Sequence, residues 1–290
     1  MPTGMTSLAD LAPNYDAILS DVWGVVHNGI VAHPSACEAL VNYRRGGGRV
    51  VLITNAPRPS PPIIDMLDDL HVPREAYDDI VSSGDVTRTM LEDYRGRSVH
   101  YVGPPHENDS LFEGLDLTLT RAEDADAVVI TDLDTDDDTP DMYGDRIGLW
   151  LSRHLPLIAA NPDRVVEHGD RIIYCGGAVA DLYEARGGRI LMAGKPYRPI
   201  YTDALMRAEK AAGRPLNKRR VLAIGDSVRT DAIGAANFGV DLLFITGSIH
   251  AEELDAFGKP DPAAIRALVA PSGAHLAGFM PRLAWLGSGA

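Results

Sequence analysis

Cysteines and long apolar segments are both scarce in this sequence. Its two cysteines, Cys37 and Cys175, lie far apart and lack the spacing of metal ligands. Two cysteines are too few for a disulfide framework, so we expect two reduced thiols in the core. No apolar run approaches the ~20 residues that a membrane-spanning helix needs, and residues 1–13 lack the basic start and apolar middle of a signal peptide. The sequence therefore predicts a cytoplasmic protein without a membrane partner.

Positive charge is also in short supply. Lysine and arginine together number 27, against 41 aspartates and glutamates, which gives a formal net charge of −14. A field of this sign repels the phosphate backbone of a nucleic acid. We therefore expect no nucleic-acid partner, although a small anionic substrate remains possible where local donors outweigh the overall field.

Short buried strands alternate with helices from the start of the chain. The strand 16–20, the helix 36–43 and the strand 49–55 form a β-α-β unit. The elements predicted next are a proline-rich loop at 57–62, a helix at 63–70, a strand at 79–83 and a helix at 84–94. One strand to one helix is typical of a parallel sheet covered on both faces. The sequence therefore predicts an α/β fold with a Rossmann-like parallel sheet.

Strands and helices continue to alternate in the middle of the chain. The elements predicted there are strands at 99–102, 127–130 and 156–160 and a helix at 142–154. One continuous sheet is possible, but we favour a second, inserted α/β module, because the remaining chemical candidates all follow this stretch. The predicted domains are a discontinuous core, residues 1–83 and 188–290, and a smaller α/β insert, residues 84–187.

The core pattern resumes after the insert. The predicted elements are strands at 189–193, 220–224 and 241–247 and helices at 199–211 and 232–238. We expect the tail beyond Ile249 to hold helical pieces, and we assign no chemistry to it.

Four predicted core strands end in polar groups of different kinds. These groups are the carboxylate of Asp21, the pair Thr54 and Asn55, the ammonium of Lys195, and the carboxylates of Asp226 and Asp231. The carboxyl ends of parallel strands lie side by side. The sequence thus predicts one site in which two of the four strand ends carry anionic groups and the other two carry groups that bind anions.

Such a site suits phosphoryl transfer assisted by a hard cation. Mg²⁺ is commonly held by one or two carboxylates plus a substrate phosphate, and Asp21 and Asp226 could supply the carboxylates. Without the cation, two carboxylates facing a phosphate would repel it strongly. Thr54, the backbone N–H of Asn55 and the Lys195 ammonium could then bind the remaining phosphate oxygens.

The same residues carry a family resemblance. Four ordered segments resemble the motifs of the haloacid dehalogenase-like superfamily: Asp21 with Gly24-Val25, Thr54-Asn55, Lys195-Pro196, and Gly225-Asp226 with Thr230-Asp231. Gly194-Lys195-Pro196, Asn161-Pro162-Asp163 and the position of the insert are similar to subclass IIA, which has a C2-type α/β cap. That subclass includes phosphatases of sugar phosphates, nitrophenyl phosphate, phosphoglycolate and pyridoxal phosphate.

The resemblance implies a role for each of these residues. Asp21 would be the nucleophile that forms an aspartyl-phosphate, and Lys195 would steady both Asp21 and the phosphoryl group. Mg²⁺ would be bound by Asp226, by Asp21 and by the backbone carbonyl of Trp23, with Asp231 in support. The implied substrate is a small phosphorylated metabolite bound under the cap, and a homodimer is possible because capped relatives often dimerise.

One position departs from the family pattern. Phosphatases of this superfamily carry a second Asp two residues after the nucleophile, where it protonates the leaving oxygen, and this chain has Trp23 there. General acid-base catalysis is worth about 10²- to 10⁴-fold, so turnover of alkyl phosphate monoesters should be slow unless another group replaces the Asp. His27 could reach the site on a flexible turn, or it could simply be a turn residue bonded to the backbone. An acyl phosphate would need no protonation of its leaving group.

The sequence leaves three hypotheses about function open. The first is a Mg²⁺-dependent phosphohydrolase, and the second is a protein that binds a phosphate ligand but has lost turnover. The third is a dehalogenase-type hydrolase, because dehalogenases of the superfamily also place an aromatic residue two positions after the nucleophile. The metal-type segments at Asp226 and Asp231 disfavour the third hypothesis, because that reaction uses no metal.

Overall fold

The chain forms two compact units. The computed structural model describes residues 6–168 and 171–286. Within the described chain, the first unit comprises residues 6–54, 61–81 and 195–286, and the second comprises residues 55–60 and 82–194. Each unit is built on its own sheet, so a single continuous sheet is excluded.

A six-stranded sheet is the centre of the first unit. Its strands are β1 (Ala17–Asp21), β2 (Arg49–Thr54), β3 (Asp79–Ser82), β11 (Val221–Gly225), β12 (Asp241–Ile245) and β13 (Leu276–Met280). The strand order is β13-β12-β11-β1-β2-β3, and the pairings of β1 with β2 and β11, and of β12 with β11 and β13, are parallel. The chain order reverses between β1 and β11, where open α/β sheets bind their ligands.

Apolar residues on both faces bury the central strands of this sheet. All five residues of β1, Ala-Ile-Leu-Ser-Asp, are buried, as are all five of β11. Continuous burial of this kind is expected for parallel strands that are covered by helices on both sides. In the register of the sheet, Asp21 is paired with Ile53 of β2, while Ser20 is paired with Ile224 of β11. Asp21 therefore lies level with the ends of both neighbouring strands.

In the described part of the chain, six helices belong wholly or mainly to the first unit. They are α1 (Leu8–Leu11), α2 (Pro34–Arg45), α3 (Ser60–Asp69), α7 (Arg198–Ala212), α8 (Ile233–Phe238) and α9 (Pro262–Val269). The predicted loop at 57–62 was too long, because α3 begins at Ser60 with two prolines next in the chain. Proline is tolerated in the first helical turn, where its missing N–H would have no partner within the helix.

The second unit holds a five-stranded parallel sheet and an antiparallel hairpin. The strands of this sheet are β4 (Arg97–Val102), β5 (Leu117–Leu119), β6 (Ala127–Ile130), β7 (Leu157–Ala159) and β10 (Ile190–Met192), in the order β10-β7-β6-β4-β5. The hairpin pairs β8 (Val165–His168) with β9 (Arg171–Tyr174). The helices are α4 (Ser83–Leu91), α5 (Gly144–Ser152) and α6 (Gly176–Ala185). Both units are therefore parallel α/β structures, and the predicted fold class is confirmed.

Some elements were not predicted. The hairpin, α6 and β5 fall in stretches for which no element was predicted, and β13 lies in the tail that was expected to be helical. α6 begins with Gly176-Gly177, which are poor helix formers. Its start nevertheless requires glycine, since a Cβ on Gly177 would lie 2.3 Å from the carbonyl oxygen of Pro162.

The two cysteines agree with their prediction. Cys37 and Cys175 are both buried and free. Among the described residues, no helix combines the length and apolarity required to cross a bilayer.

Replacement of Trp150 by alanine should destabilise the second unit. Trp150 is fully buried in α5, and its ring centroid lies 6.0 Å from that of Tyr183 in an edge-to-face arrangement. We expect Trp150→Ala to lower the free energy of unfolding in urea by about 3–5 kcal/mol, because it leaves a large cavity. Trp23→Ala is the matched control, since Trp23 is 52% exposed, and should cost about 1 kcal/mol or less. Equal losses would contradict the difference in burial between Trp150 and Trp23.

Candidate active site

Three buried carboxylates meet at the carboxyl edge of the first unit's sheet. Asp21 is the last residue of β1, Asp226 directly follows β11, and Asp231 lies in a π-helical turn, Val228–Ala232. One oxygen from each of the three carboxylates lies within 4.8 Å of the others. Each of these residues is more than nine-tenths buried, so their mutual repulsion is weakly screened by water.

A lysine ammonium balances part of this charge. Nζ of Lys195 lies 2.6 Å from Oδ1 of Asp21 and 2.8 Å from Oδ1 of Asp231, and the lysine is 3% exposed. Oδ1 of Asp21 also accepts the N–H of Val22 at 2.7 Å. Lys195 therefore fixes the orientation of Asp21 and of Asp231 at the same time.

Asp231 is held by two groups on opposite sides. Its Oδ2 accepts the N–H of Ser227 at 3.1 Å, while its Oδ1 pairs with Lys195. The close approach of Asp231 to β11 requires Gly225, because a Cβ at that position would lie 2.1 Å from Cγ of Asp231. Both oxygens of Asp231 are therefore engaged by groups of the protein, and its supporting role remains a prediction.

Asp226 contacts the turn that follows β1. Gly24 has φ +81°, and a Cβ there would lie 2.1 Å from Oδ2 of Asp226 and 2.5 Å from Oγ of Ser248. The absence of a side chain at Gly24 lets this turn approach the carboxylate closely. The hydroxyl of Ser248 approaches the same glycine, and its interaction with the Asp226 carboxylate lowers the pKa of that group.

Ser248 was missed in the sequence. It follows β12 by three residues and so comes just after the end of a core strand, which is the feature that marked the other polar groups. The four-motif pattern did not include this strand, and we therefore assigned no chemistry to the residues that follow it.

Burial and charge shift the pKa values of the central groups. Burial, followed by the negative charge of Asp231, raises the pKa of Asp21 well above its usual value, and Lys195 only partly opposes this. Burial, followed by the charge of Asp231, raises the pKa of Asp226 to about 6. Burial alone would lower the pKa of Lys195, but Asp21 and Asp231 raise it above its usual value. The site thus carries an excess of negative charge that a cation would relieve.

A divalent cation fits this set of donors. The cluster offers carboxylate oxygens on rigid strand ends, which are the ligands that Mg²⁺ and Ca²⁺ prefer. Because Asp231 is engaged by Lys195 and Ser227, Asp21 and Asp226 are the better candidates for ligands.

Trp23 and His27 form a small cluster on the turn after β1. The indole of Trp23 packs over Gly29, where a Cβ would lie 2.3 Å from the ring, and it remains half-exposed. His27 is 1% exposed, lies edge-to-face with the indole at 5.4 Å, and accepts the N–H of Gly29 at Nδ1. Burial, together with the charge of His33, lowers the pKa of His27 to about 4, so its imidazole is neutral at pH 7. His27 is therefore bonded to the backbone of its own turn.

Thr54 and Asn55 occupy the end of β2. Thr54 is half-buried and belongs to the first unit with Asp21, whereas Asn55 is the first residue of the second unit. The side-chain amide of Asn55 donates to Oδ1 of Asp163 at 3.0 Å. Of the predicted site residues, the structure brings together Asp21, Lys195, Asp226 and Asp231, with Trp23 and His27 on the adjoining turn.

The fold and the site together are those of a parallel α/β protein with a carboxylate-rich centre at the carboxyl ends of its strands. Two family models match the chain, "haloacid dehalogenase-like hydrolase" over residues 18–116 and "HAD-hydrolase-like" over residues 192–272. A crystal structure of a haloacid dehalogenase-like hydrolase from Brucella suis is 45% identical, covers 85% of this chain and 94% of its own, and superposes with a TM-score of 0.79. The chain belongs to the haloacid dehalogenase-like hydrolase family.

Two more distant structures share the fold. A possible sugar phosphatase from Cytophaga hutchinsonii is 21% identical, with coverage of 96% of this chain and 98% of its own and a TM-score of 0.75. A glycerol phosphate phosphatase from Mycobacterium tuberculosis, in complex with magnesium, is 23% identical, with coverage of 85% and 71% and a TM-score of 0.64.

Removal of the Lys195 charge should destabilise the protein in a pH-dependent way. We expect Lys195→Met to cost about 3–5 kcal/mol at pH 8, because it leaves buried carboxylates without their cation. Loss of the ammonium raises the pKa of Asp21 further in the folded state. An acid with a raised folded-state pKa binds protons more tightly when folded, so stability falls as the pH rises above the unfolded pKa.

Urea unfolding in the presence of a chelator checks this prediction. The loss relative to the wild-type protein should be smaller at pH 4.5 than at pH 8, by about 1.4 kcal/mol for each unit by which the pKa rises. Lys218→Met is the matched control, because Nζ of Lys218 lies over the ring of Phe238 outside the carboxylate cluster. A loss that is independent of pH would contradict the ion-pair geometry.

Proposed function

We propose that this chain is a Mg²⁺-dependent phosphohydrolase that acts on a small phosphorylated metabolite through an aspartyl-phosphate on Asp21. The observation that supports this most directly is the buried ion pair between Lys195 and the carboxylates of Asp21 and Asp231. An Asp held by an ammonium in a buried site is suited to nucleophilic attack on an anionic ester.

Asp21, Asp226 and the backbone carbonyl of Trp23 would hold the metal. Bound Mg²⁺ would supply neutralisation of the phosphate charge and of the carboxylates that face it. The raised pKa of Asp226, to about 6, and that of Asp21 support a site that is completed by a cation.

The reaction then uses groups of this chain. A carboxylate oxygen of Asp21 attacks phosphorus, and the bond from phosphorus to the leaving oxygen breaks. Lys195 keeps Asp21 in place and pairs with the transferred phosphoryl group. The hydroxyl of Thr54 and the backbone N–H of Asn55 bind further phosphoryl oxygens. Water then hydrolyses the acyl phosphate, which releases inorganic phosphate and restores the Asp21 carboxylate.

The leaving oxygen receives no proton from residue 23 in this scheme. His27 is a poor replacement, because its Nδ1 accepts a backbone N–H and its pKa is lowered to about 4. A group with this pKa is mostly unprotonated at pH 7 and cannot serve as an efficient general acid. We therefore expect low rates with alkyl phosphates and better rates with acyl phosphates or other good leaving groups.

The proposal also assigns a role to the second unit. We interpret it as a C2-type cap that supplies substrate contacts, with the insert predicted at residues 84–187. The possible sugar phosphatase from Cytophaga hutchinsonii and the glycerol phosphate phosphatase from Mycobacterium tuberculosis share this fold, and the magnesium complex of the latter supports the choice of metal. We further propose a cytoplasmic location, no nucleic-acid partner, and assembly as a homodimer.

A second candidate function should be tested together with the phosphohydrolase. A phosphate-binding protein without turnover is favoured by Trp23, which cannot act as an acid or a base. A dehalogenase-type hydrolase is disfavoured, because that reaction uses no metal, whereas the cluster of Asp21, Asp226 and Asp231 is suited to hold one.

Phosphate release from a panel of esters tests the proposal. The panel should contain alkyl, aryl and acyl phosphates, assayed with Mg²⁺ and with a chelator. Asp21→Asn is the matched control, because it keeps the size of the side chain and removes the nucleophile. We expect Mg²⁺-dependent release at least about 100-fold above that of the control, since the covalent step is lost in it. Release equal to that of Asp21→Asn on all esters would favour the binding protein.

Introduction of an acid at position 23 tests the role of the missing proton donor. We expect Trp23→Asp to raise kcat with alkyl phosphates by at least about tenfold, at the low end of what a positioned general acid contributes. Acyl phosphates should gain little, because their leaving group needs no proton. Trp23→Asn, which has the same shape without the acid, is the control. If Trp23→Asn raises the rate as much as Trp23→Asp, the gain comes from removal of the bulky indole and not from proton transfer.

A further inference from the structure

We propose that Asp163 is a positioning residue for the phosphate-binding segment Thr54-Asn55, and that it acts through the side chain of Asn55. The inference rests on the proposed function, because that function assigns the backbone N–H of Asn55 to the phosphate. Asp163 lies 108 residues further along the chain from Asn55.

The side-chain amide of Asn55 has a close neighbour at each end. Nδ2 donates to Oδ1 of Asp163 at 3.0 Å, and the residue is 8% exposed. Oδ1 faces Gly194, where a Cβ would lie only 2.5 Å away. The amide of Asn55 therefore lies between a carboxylate and a glycine backbone, with its Nδ2 directed at Asp163.

Asp163 is itself held in a hydrogen-bonded network. Its N–H donates to Oδ1 of Asn161 at 3.1 Å, and its carbonyl accepts the N–H of Gly177 at 3.1 Å. Nδ2 of Asn161 in turn donates to Oδ1 of Asp132 at 3.1 Å. Asn161 and Asp132 follow the ends of β7 and β6, so Asp163 is anchored to the strand ends of the second unit's sheet. A rigidly held acceptor of this kind can fix the side chain that it binds.

The contact between Asn55 and Asp163 lies next to a point where the chain passes from one unit to the other. The chain leaves the first unit between Thr54 and Asn55, and it finally returns between Gly194 and Lys195. Thr54-Asn55 and Lys195, which border these two crossings, are the groups that the proposed function assigns to phosphate binding. Because Asn55 contacts both Asp163 and Gly194, a single carboxylate constrains the residue after Thr54 and the residue before Lys195.

The same carboxylate could have a purely structural role in the second unit. The two roles differ in one measurable way: a positioning residue acts only while Asn55 is present. A residue that stabilises the unit in general acts whether or not Asn55 keeps its side chain. A double-mutant cycle separates these cases.

The experiment measures binding of inorganic phosphate with Mg²⁺ present, by calorimetry on the full chain, so that it does not depend on turnover. Asp163→Ala and Asn55→Ala each remove the hydrogen bond, and Asn55→Ala keeps the backbone N–H. Each should weaken phosphate binding about tenfold, the scale of a hydrogen bond to a charged acceptor. Asp163→Asn keeps an acceptor oxygen and should bind phosphate within about threefold of the wild-type protein.

The double variant Asn55→Ala/Asp163→Ala should bind phosphate about as weakly as either single variant, within about twofold. If the two losses multiply instead, Asp163 does not act through Asn55 and the inference is wrong. If Asp163→Ala fails to fold, Asn55→Ala alone still tests the contact, and unchanged binding in that variant overturns it.

Asp181→Ala is the matched control. Asp181 lies in the same unit, and its carboxylate pairs with Arg164 at 2.5 Å. Its replacement should leave phosphate binding unchanged, whereas a loss equal to that of Asp163→Ala would indicate a general effect on the unit. Where esters are hydrolysed, Asp163→Ala should raise KM more than it lowers kcat.

Failure of the proposed function can be distinguished from failure of the inference. A wild-type protein that neither releases nor binds phosphate contradicts the proposed function, and the inference falls with it. If the wild-type protein binds phosphate and Asp163→Ala binds it equally tightly, the inference alone is contradicted.

Discussion

Three carboxylates and one ammonium, packed within a few ångströms and removed from water, are the constraint on which the rest of this structure depends. Lys195 can balance only part of the charge of Asp21, Asp226 and Asp231. A buried charge without a partner is strongly destabilising, so such a cluster persists only where the surrounding backbone holds it in place. The parallel strands do this, because they bring Asp21 and Asp226 to adjacent strand ends.

Two glycines make this arrangement possible. Gly225 leaves room for Asp231 against β11, and Gly24 leaves room for Asp226 against the turn after β1. Both positions are crowded by side chains of the cluster itself. The density of charge in the site therefore depends as much on residues without side chains as on the charged residues.

Much of the architecture could be read from the sequence, because buried parallel strands are short, apolar and followed by polar residues. Asp21, Asp226 and Lys195 were found from that pattern, and they do meet. Ser248 also follows a core strand, but no motif marks it. The bond between Asn55 and Asp163 could not be predicted, since it depends on side-chain directions in two segments far apart in sequence. The helix that begins at Gly176 was hidden for a related reason, because its glycines serve a close backbone contact and not the helix.

The position of the indole of Trp23 has a consequence for how this chain can diverge. The ring occupies the surface above Gly29, and half of it remains in contact with water. A smaller residue there would uncover Gly29 and the edge of His27 without removing a contact of the carboxylate cluster, since Lys195, Asp226 and Asp231 make their contacts elsewhere. Descendants of this sequence can therefore exchange this one surface aromatic while the charged centre is inherited intact.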